Sequence, residues 1–339
     1  LIWTECLKDE LRNDEKEGVP RSFRVGTLLQ QFLVKKFFGR MVEHIISNRK
    51  QNKIMVGCNP VTDWPWMYEH ITAGKPFAGD VKNWDGSMNS QLQQLVVESF
   101  ISKSLESDKN LLAVLCSTLT NSLVVVNNEL FMTTHSMPSG SYLTAIMNSI
   151  VNKLYTAIWY FRNVENPTLD GFWTDVDDFV YGDDKLNVVY RNFDTLNAIT
   201  MKQCFESLGM GFTDSLKKPI QTPFQEVSEL TFLKRSFVYH NLLQRIVCPL
   251  ETRVIFNTLS YVDFTKESVD LVMRDKIHAV QRELFLHEDR DFLLEDLYRR
   301  LSARNYPYTK LSKEYLLSVY SDSNFLIPYN FYTTSFKYL

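Results

Sequence analysis

The sequence has little of what marks the specialised classes of protein. Its five cysteines, Cys6, Cys58, Cys116, Cys204 and Cys248, are odd in number and far apart, and no C-x-x-C pair occurs. That pattern argues against a disulfide framework or a cysteine zinc site and fits a reducing compartment. No run is long and apolar enough to span a bilayer. The longest candidate, Leu111 to Val126, is broken by Ser117, Thr118, Thr120, Asn121 and Ser122, and it reads as a buried helix running into a strand. No internal repeat, low-complexity tract or secretory signal is visible. Nor is there an excess of charge: the net value of −3 does not advertise a nucleic-acid partner, although a local basic surface needs no basic whole. The first fifty residues do lean basic, with Lys8, Arg12, Lys16, Arg21, Arg24, Lys35, Lys36, Arg40, Arg49 and Lys50. An initial Met is lacking, and the chain opens at Leu1 as if in mid-element, so a fragment is expected.

What is present describes a globular chain. Of its 339 residues 45% are hydrophobic and 23% charged, and Phe and Tyr far outnumber Trp. A sizeable core in two or three domain-sized units is affordable at that length. Leu28 to Ile46 has helical spacing of apolar residues, and so do Ser87 to Leu105, Ser139 to Tyr160 and Phe193 to Leu208. Asn59 to Trp66, with two prolines and two tryptophans, reads as a loop. Gly79 to Lys82 reads as a strand end. Two hairpins are expected: one turning at Asn127-Asn128, the other at Gly182-Asp183-Asp184. Leu230 to Tyr239 reads as a further strand or hairpin, and from about Val247 the pattern is helical. Strands and helices without a regular βαβ period suggest an α+β domain followed by a helical one.

Three elements carry chemistry. Tyr181-Gly182-Asp183-Asp184 puts adjacent carboxylates at a tight turn. Asp and Gly are common turn residues, so a solvated turn would suffice, but a divalent cation would also relieve the repulsion. Upstream, Asp80-Val81-Lys82-Asn83-Trp84-Asp85 sits where a strand gives way to a helix. Two-metal phosphoryl transfer needs carboxylates from separate segments. Between them lies Ser136-Met137-Pro138-Ser139-Gly140, followed by Thr144 and Asn148. Thr144 and Asn148 are four apart and share a helix face. Capping would explain the first group, and binding of a sugar or base would explain the whole.

Together these resemble motifs A (D-x-x-x-x-D), B (S-G-x-x-x-T-x-x-x-N) and C (Y-G-D-D) of the RNA-dependent RNA polymerases of picornavirus-like positive-strand RNA viruses. The flanks agree. Lys8-Asp9-Glu10-Leu11-Arg12 with Lys16, Arg21 and Arg24 resembles the basic motif F, apart from an extra residue between Arg21 and Arg24. Gly211-Phe212-Thr213-Asp214, ending in Lys217-Lys218, resembles motif D, and Phe232-Leu233-Lys234-Arg235 resembles motif E. The glycine common ahead of motif B is replaced near Ser136.

The resemblance implies a right-hand polymerase fold, with residues 1–75 as partial fingers lacking their N-terminal part, 76–245 as palm (part of 98–133 belonging to fingers) and 246–339 as helical thumb. It implies that Asp80, Asp183 and Asp184 hold two Mg²⁺ ions, with Mn²⁺ as a candidate substitute. Asp85 and Asn148, supported by Ser139, Gly140 and Thr144, would recognise the ribose. Arg12, Lys16, Arg21 and Arg24 would contact triphosphate or template backbone. Lys217 or Lys218 would protonate the leaving pyrophosphate, and Lys234 and Arg235 would hold the primer strand. The implied partners are an RNA template and primer, ribonucleoside triphosphates and, as a candidate primer, a small genome-linked protein. The implied location is the host cytoplasm at viral replication complexes. Two other readings stand beside this one: a reverse transcriptase, in which another residue usually replaces Gly182, and a non-catalytic RNA-binding fragment of a polymerase.

Overall fold

The computed structural model describes residues 2–8, 18, 21–104, 106, 108–134, 137–260 and 268–321. The chain divides into two compact units, residues 1–58 with 70–233, and residues 59–69 with 234–339.

The first unit opens with β1 (Ile2–Leu7) and β2 (Ser22–Gly26), an antiparallel pair. The helix α1 (Leu28–Ser47) follows, with Thr27 accepting from the Gln30 N–H as its N-cap, and then the short α2 (Arg49–Asn52). The segment expected to be a loop at Asn59–Trp66 belongs instead to α3 (Pro60–Ala73). The correction has a physical cause. Pro60 occupies the first turn, where no N–H is needed, and the Asp63 carboxylate accepts from the Asn59 N–H at 2.8 Å. Pro65 lies inside the helix and cannot bond the Val61 carbonyl, but the Arg245 guanidinium donates to that oxygen.

Next come β3 (Lys75–Val81), α4 (Trp84–Ser87), α5 (Ser90–Lys103), α6 (Lys109–Thr120), β4 (Ser122–Val126) and β5 (Glu129–Thr133). The helix expected over Ser87–Leu105 is interrupted because Asn89 leaves helical geometry to cap α5, accepting from Gln91 and Leu92. The first expected hairpin forms, with Asn127 and Asn128 both at positive φ (48° and 66°), as a two-residue type I′ turn requires. These strands make a sheet of order β2-β1-β4-β5.

The rest of this unit is α7 (Thr144–Asn163), α8 (Leu169–Asp175), β6 (Val176–Tyr181), β7 (Asp184–Val189), α9 (Ala198–Ser207) and β8 (Phe212–Asp214). The helix α9 is shorter than the expected Phe193–Leu208 because Asn197 forms a capping box with Thr200, which fixes the start. The second sheet has the order β6-β7-β3-β8, antiparallel throughout. Its core is aromatic: Trp159 meets Phe77 edge-on at 6.0 Å, and Phe205 stacks on Phe212 at 5.0 Å.

The second unit holds β9 (Val238–His240), β10 (Arg245–Val247), α10 (Thr252–Asn257), α11 (Val269–Phe285), α12 (Arg290–Ala303) and α13 (Lys313–Ser321). The strand expected over Leu230–Tyr239 is confined to its end, because Leu233 and Lys234 take left-handed backbone angles (φ 52° and 60°). Ile277, Val280 and Leu284 of α11 pack with Leu293, Leu297 and Leu301 of α12, the i, i+3, i+4 stripes that bury one face of each helix.

Candidate active site

The site grows from β3 and the β6–β7 hairpin, neighbours in one sheet. Asp80 lies near the end of β3, paired with Thr213 of β8. Gly182 and Asp183 form the two-residue turn between Tyr181 and Asp184. Gly182 has φ 64°, the left-handed value that a II′-type hairpin asks of its first central residue. The turn thus presents Asp183 at an exposed tip.

The two segments feel each other. The Asp183 carboxyl is harder to ionise than usual, first through desolvation, then through the negative charges of Asp80 and Asp85. Its own backbone N–H and Lys217 work the other way. Asp183 as a residue is exposed, and a cation bound there would offset the like charges of Asp80 and Asp85. Lys217, at φ 64°, reaches back to within 3.5 Å of the Asp80 carboxylate. Among the described residues the side chain of Lys218 has no such contact. Its backbone N–H donates instead to the Asp214 carboxylate at 2.7 Å. Among the described residues no three His, Cys, Asp or Glu side chains form a ready-made cage. Mg²⁺ does not need one, since it is usually bound by one or two carboxylates, with substrate phosphates and water completing the shell. An acidic pair on adjacent segments, with one lysine at its edge, suits such an ion.

Asp85, in α4, is held by two donors. The Ser139 hydroxyl donates to one oxygen at 2.7 Å and the Asn148 amide to the other at 3.2 Å. The Asn148 side-chain carbonyl is buried and finds no partner among the described residues. Ser139 and Gly140 are not part of the helix that was expected from 139 onward, because the loop is tied elsewhere. The Gly140 N–H donates to the Arg24 carbonyl at 2.9 Å, and a Cβ at 140 would stand 2.3 Å from that oxygen. Thr144, at the start of α7, donates its hydroxyl to the Pro138 carbonyl at 3.0 Å. Gly140 and Thr144 therefore shape the loop, while Ser139 and Asn148 meet at Asp85.

The remaining candidates make other contacts or fall outside the described residues. Arg12 and Lys16 fall outside the described residues. Arg21 pairs by its backbone carbonyl with the Lys8 N–H. The Arg24 guanidinium lies 3.1 Å from the Glu5 carboxylate. In the second unit Arg235 grips Glu283 with two bonds of 2.8 and 2.9 Å and donates to the Cys248 carbonyl. Burial opposes its charge, but the Glu283 carboxylate outweighs that and holds the guanidinium charged. These contacts brace the Arg235 side chain, and the Lys234 side chain has no such clamp among the described residues.

Residues 1–302 match the viral RNA-dependent RNA polymerase family. The chain belongs to that family. Among its curated relatives is the replicase polyprotein of Cricket paralysis virus, 30% identical over 93% of this chain and 19% of the relative. Another is the genome polyprotein of Rice tungro spherical virus, 27% identical over 89% of this chain and 9% of the relative. The chain thus spans about a fifth or less of these polyproteins. Among solved structures, the Sicinivirus 3Dpol RNA dependent RNA polymerase shares the fold, with a TM-score of 0.80 at 17% identity, over 94% of this chain and 67% of that one. The α+β right-hand polymerase fold and the picornavirus-like kinship expected from the motifs are both borne out.

Two side chains of this polymerase-family site were missed in the sequence. The Ser149 hydroxyl accepts from the Gly182 N–H at 2.8 Å, and the Asn152 amide donates to the carbonyls of Gly182 and Asp183 at 3.0 and 3.2 Å. A signal existed: Asn152 lies one helical turn beyond Asn148, a polar residue between Val151 and Leu154.

Proposed function

We propose that the chain performs template-directed RNA synthesis, transferring a nucleotidyl group from a ribonucleoside triphosphate to an RNA 3′-hydroxyl by a two-metal mechanism. The observation that carries this reading is Asp85 held between Ser139 and Asn148 beside the acidic pair of Asp80 and Asp183. One side of the cluster suits charged phosphates and the other suits a sugar hydroxyl.

In the reaction the 3′-oxygen forms a bond to the α-phosphorus and its hydroxyl proton passes to solvent water. The bond from that phosphorus to the pyrophosphate oxygen breaks. Asp80 and Asp183, with Asp184 beside them, would hold divalent ions, Mg²⁺ or Mn²⁺, which lower the hydroxyl pKa and neutralise the triphosphate. Lys217, next to Asp80, is the better placed of the two lysines to give a proton to pyrophosphate, and Lys218 is the alternative donor. Asp85 and Asn148 read the ribose. Arg12, Lys16, Arg21 and Arg24 contact phosphates of the nucleotide or template, and Lys234, with Arg235, contacts the primer backbone. The assignment of fingers (1–75), palm (76–245) and thumb (246–339) belongs to the same proposal. So do a genome-linked protein as primer and a site of action at replication complexes in the host cytoplasm. No helix among the described residues is long and apolar enough to cross a membrane.

Primer extension on a defined RNA template tests the reading. Asp183→Asn should abolish incorporation and leave RNA affinity nearly unchanged. Incorporation that survives this change would sink the proposal. Preference for deoxyribonucleotides would turn it towards a reverse transcriptase.

A further inference from the structure

The turn that carries Asp183 has unusual support. In a two-residue hairpin the central peptide groups have no ladder partner and usually face water. Here they are met by side chains from α7. Ser149 takes the Gly182 N–H, and Asn152 bonds the carbonyls of both Gly182 and Asp183. Ser149 and Asn152 are both fully buried. The Ser149 hydroxyl is itself fixed, donating to the Ala145 carbonyl at 2.6 Å. Behind the turn, the buried ammonium of Lys185 donates to the Asn152 carbonyl at 3.3 Å and to the Thr156 hydroxyl. The turn is thus tied to one helix before, across and after its tip.

That helix also carries Asn148, which holds Asp85. Residues 148, 149 and 152 are neighbours on adjacent turns of a rigid element. They fix the separation between the carboxylate assigned to the sugar and the carboxylate assigned to the metal.

We infer that Asn152, assisted by Ser149, is a positioning residue that sets the affinity of the Asp183 turn for divalent cations. This rests on the reading of Asp80 and Asp183 as cation ligands. The bonds go to the backbone of the residue that would hold the ion. Removing them frees the turn to relax away from Asp80, as its like charge favours, and leaves the buried Gly182 carbonyl without its donor. Residues that orient a metal ligand in this way are typically worth roughly 10-fold to 100-fold in affinity.

The test is Mn²⁺ binding to the full chain without RNA or nucleotide, read by electron paramagnetic resonance for wild type, Asp183→Asn, Asn152→Leu and Ser149→Ala. Asn152→Leu keeps the branching at Cγ and the number of heavy atoms and removes the donors. It should raise the Mn²⁺ concentration for half-saturation by about tenfold, with RNA affinity unchanged. Ser149→Ala should shift it less, in the same direction. The Mg²⁺ concentration for half-maximal incorporation should follow. A folded Asn152→Leu protein that binds Mn²⁺ like wild type overturns the inference and leaves the catalytic reading intact. If Asn152→Leu does not fold, Ser149→Ala decides by the same criterion. Mn²⁺ binding untouched by Asp183→Asn removes the ligand reading, and the inference falls with it.

Discussion

Asn148 turns its amide N–H towards Asp85 and is left with a buried carbonyl oxygen that has no partner among the described residues. A buried acceptor of that kind calls for an explanation, and a ribose 2′-hydroxyl, which can donate as well as accept, supplies one. A site that pairs a hydroxyl discriminates strongly against its absence, because its own polar groups are then unmatched. Asn148→Ala should therefore lower ribonucleotide use much more than deoxyribonucleotide use. Single-nucleotide incorporation with both substrates on one primer–template would show the ratio of kcat/KM values narrowing. Equal losses would make Asn148 a packing residue. At this scale the sequence was readable where chemistry forces a residue type into a compact pattern, as at Asp80, Asp85, Asp183 and Asn148. It was not readable where the partner is a backbone group or lies far along the chain. Asn152 stands out as a polar residue one turn beyond Asn148, but that signal does not say that it faces the peptide groups of a turn thirty residues on. Nothing near Arg235 announces Glu283, 48 residues away.

Elements were legible where periodicity and turn chemistry agreed, as in α1 and the Asn127-Asn128 hairpin. They were misread where one signal hid another. Proline and tryptophan at 59–66 suggested a loop, yet the prolines fall where the helix or a neighbour makes good the lost bonds. The start of α7 was set too early because pinning of Gly140 to the Arg24 carbonyl is a tertiary event. The β9–β10 hairpin carries a consequence for pH. His240 donates from Nε2 to the Phe285 carbonyl at 3.0 Å and accepts at Nδ1 from the Leu243 N–H at 3.2 Å. Both nitrogens are satisfied only in the neutral ring, since a proton on Nδ1 would meet another N–H. Burial, joined by the charge of Arg290, lowers its pKa, and burial also lowers that of His287, which donates to the Leu250 carbonyl at 2.9 Å. The unfolded chain, with histidines near 6.5, then binds protons that the folded chain resists. Stability is full above that pH and is lost as pH falls below it. Thermal unfolding of the second unit should move to lower temperature as buffers are taken from about pH 7.5 to about pH 5.5, and His287→Gln should flatten the trend. A transition indifferent to pH over that range would contradict this account.

For the whole molecule, net charge was the least informative quantity. A value of −3 hides a basic N-terminal stretch and the acidic cluster of Asp80, Asp85 and Asp183. Under the proposed function the chain copies any template, and so has to hold phosphates and sugars and ignore base identity. RNA affinity should therefore fall by about tenfold or more between roughly 50 and 200 mM salt, with log affinity linear in log salt. Templates of unrelated sequence should bind alike. A flat salt response, or preference for one short sequence, would speak against the reading. Family and fold were within reach of the sequence because ordered motifs span most of the chain. The division into units was not, because residues 59–69 join a unit whose remainder begins at 234.

The Val61 carbonyl, deprived of its helical donor by Pro65 and served by Arg245, binds the fates of two distant positions. Arg245→Met alone strands that oxygen and should lower the melting temperature. Pro65→Ala alone returns an N–H to an oxygen that already has a donor and should change little. Made together, the second change supplies what the first removed, and much of the loss should be recovered. A double-mutant cycle would read this as a coupling between the sites, and strictly additive effects would refute it. Such a dependence is epistasis. A lineage that lost the arginine while keeping the proline would pass through a less stable intermediate, whereas losing the proline first leaves the path open.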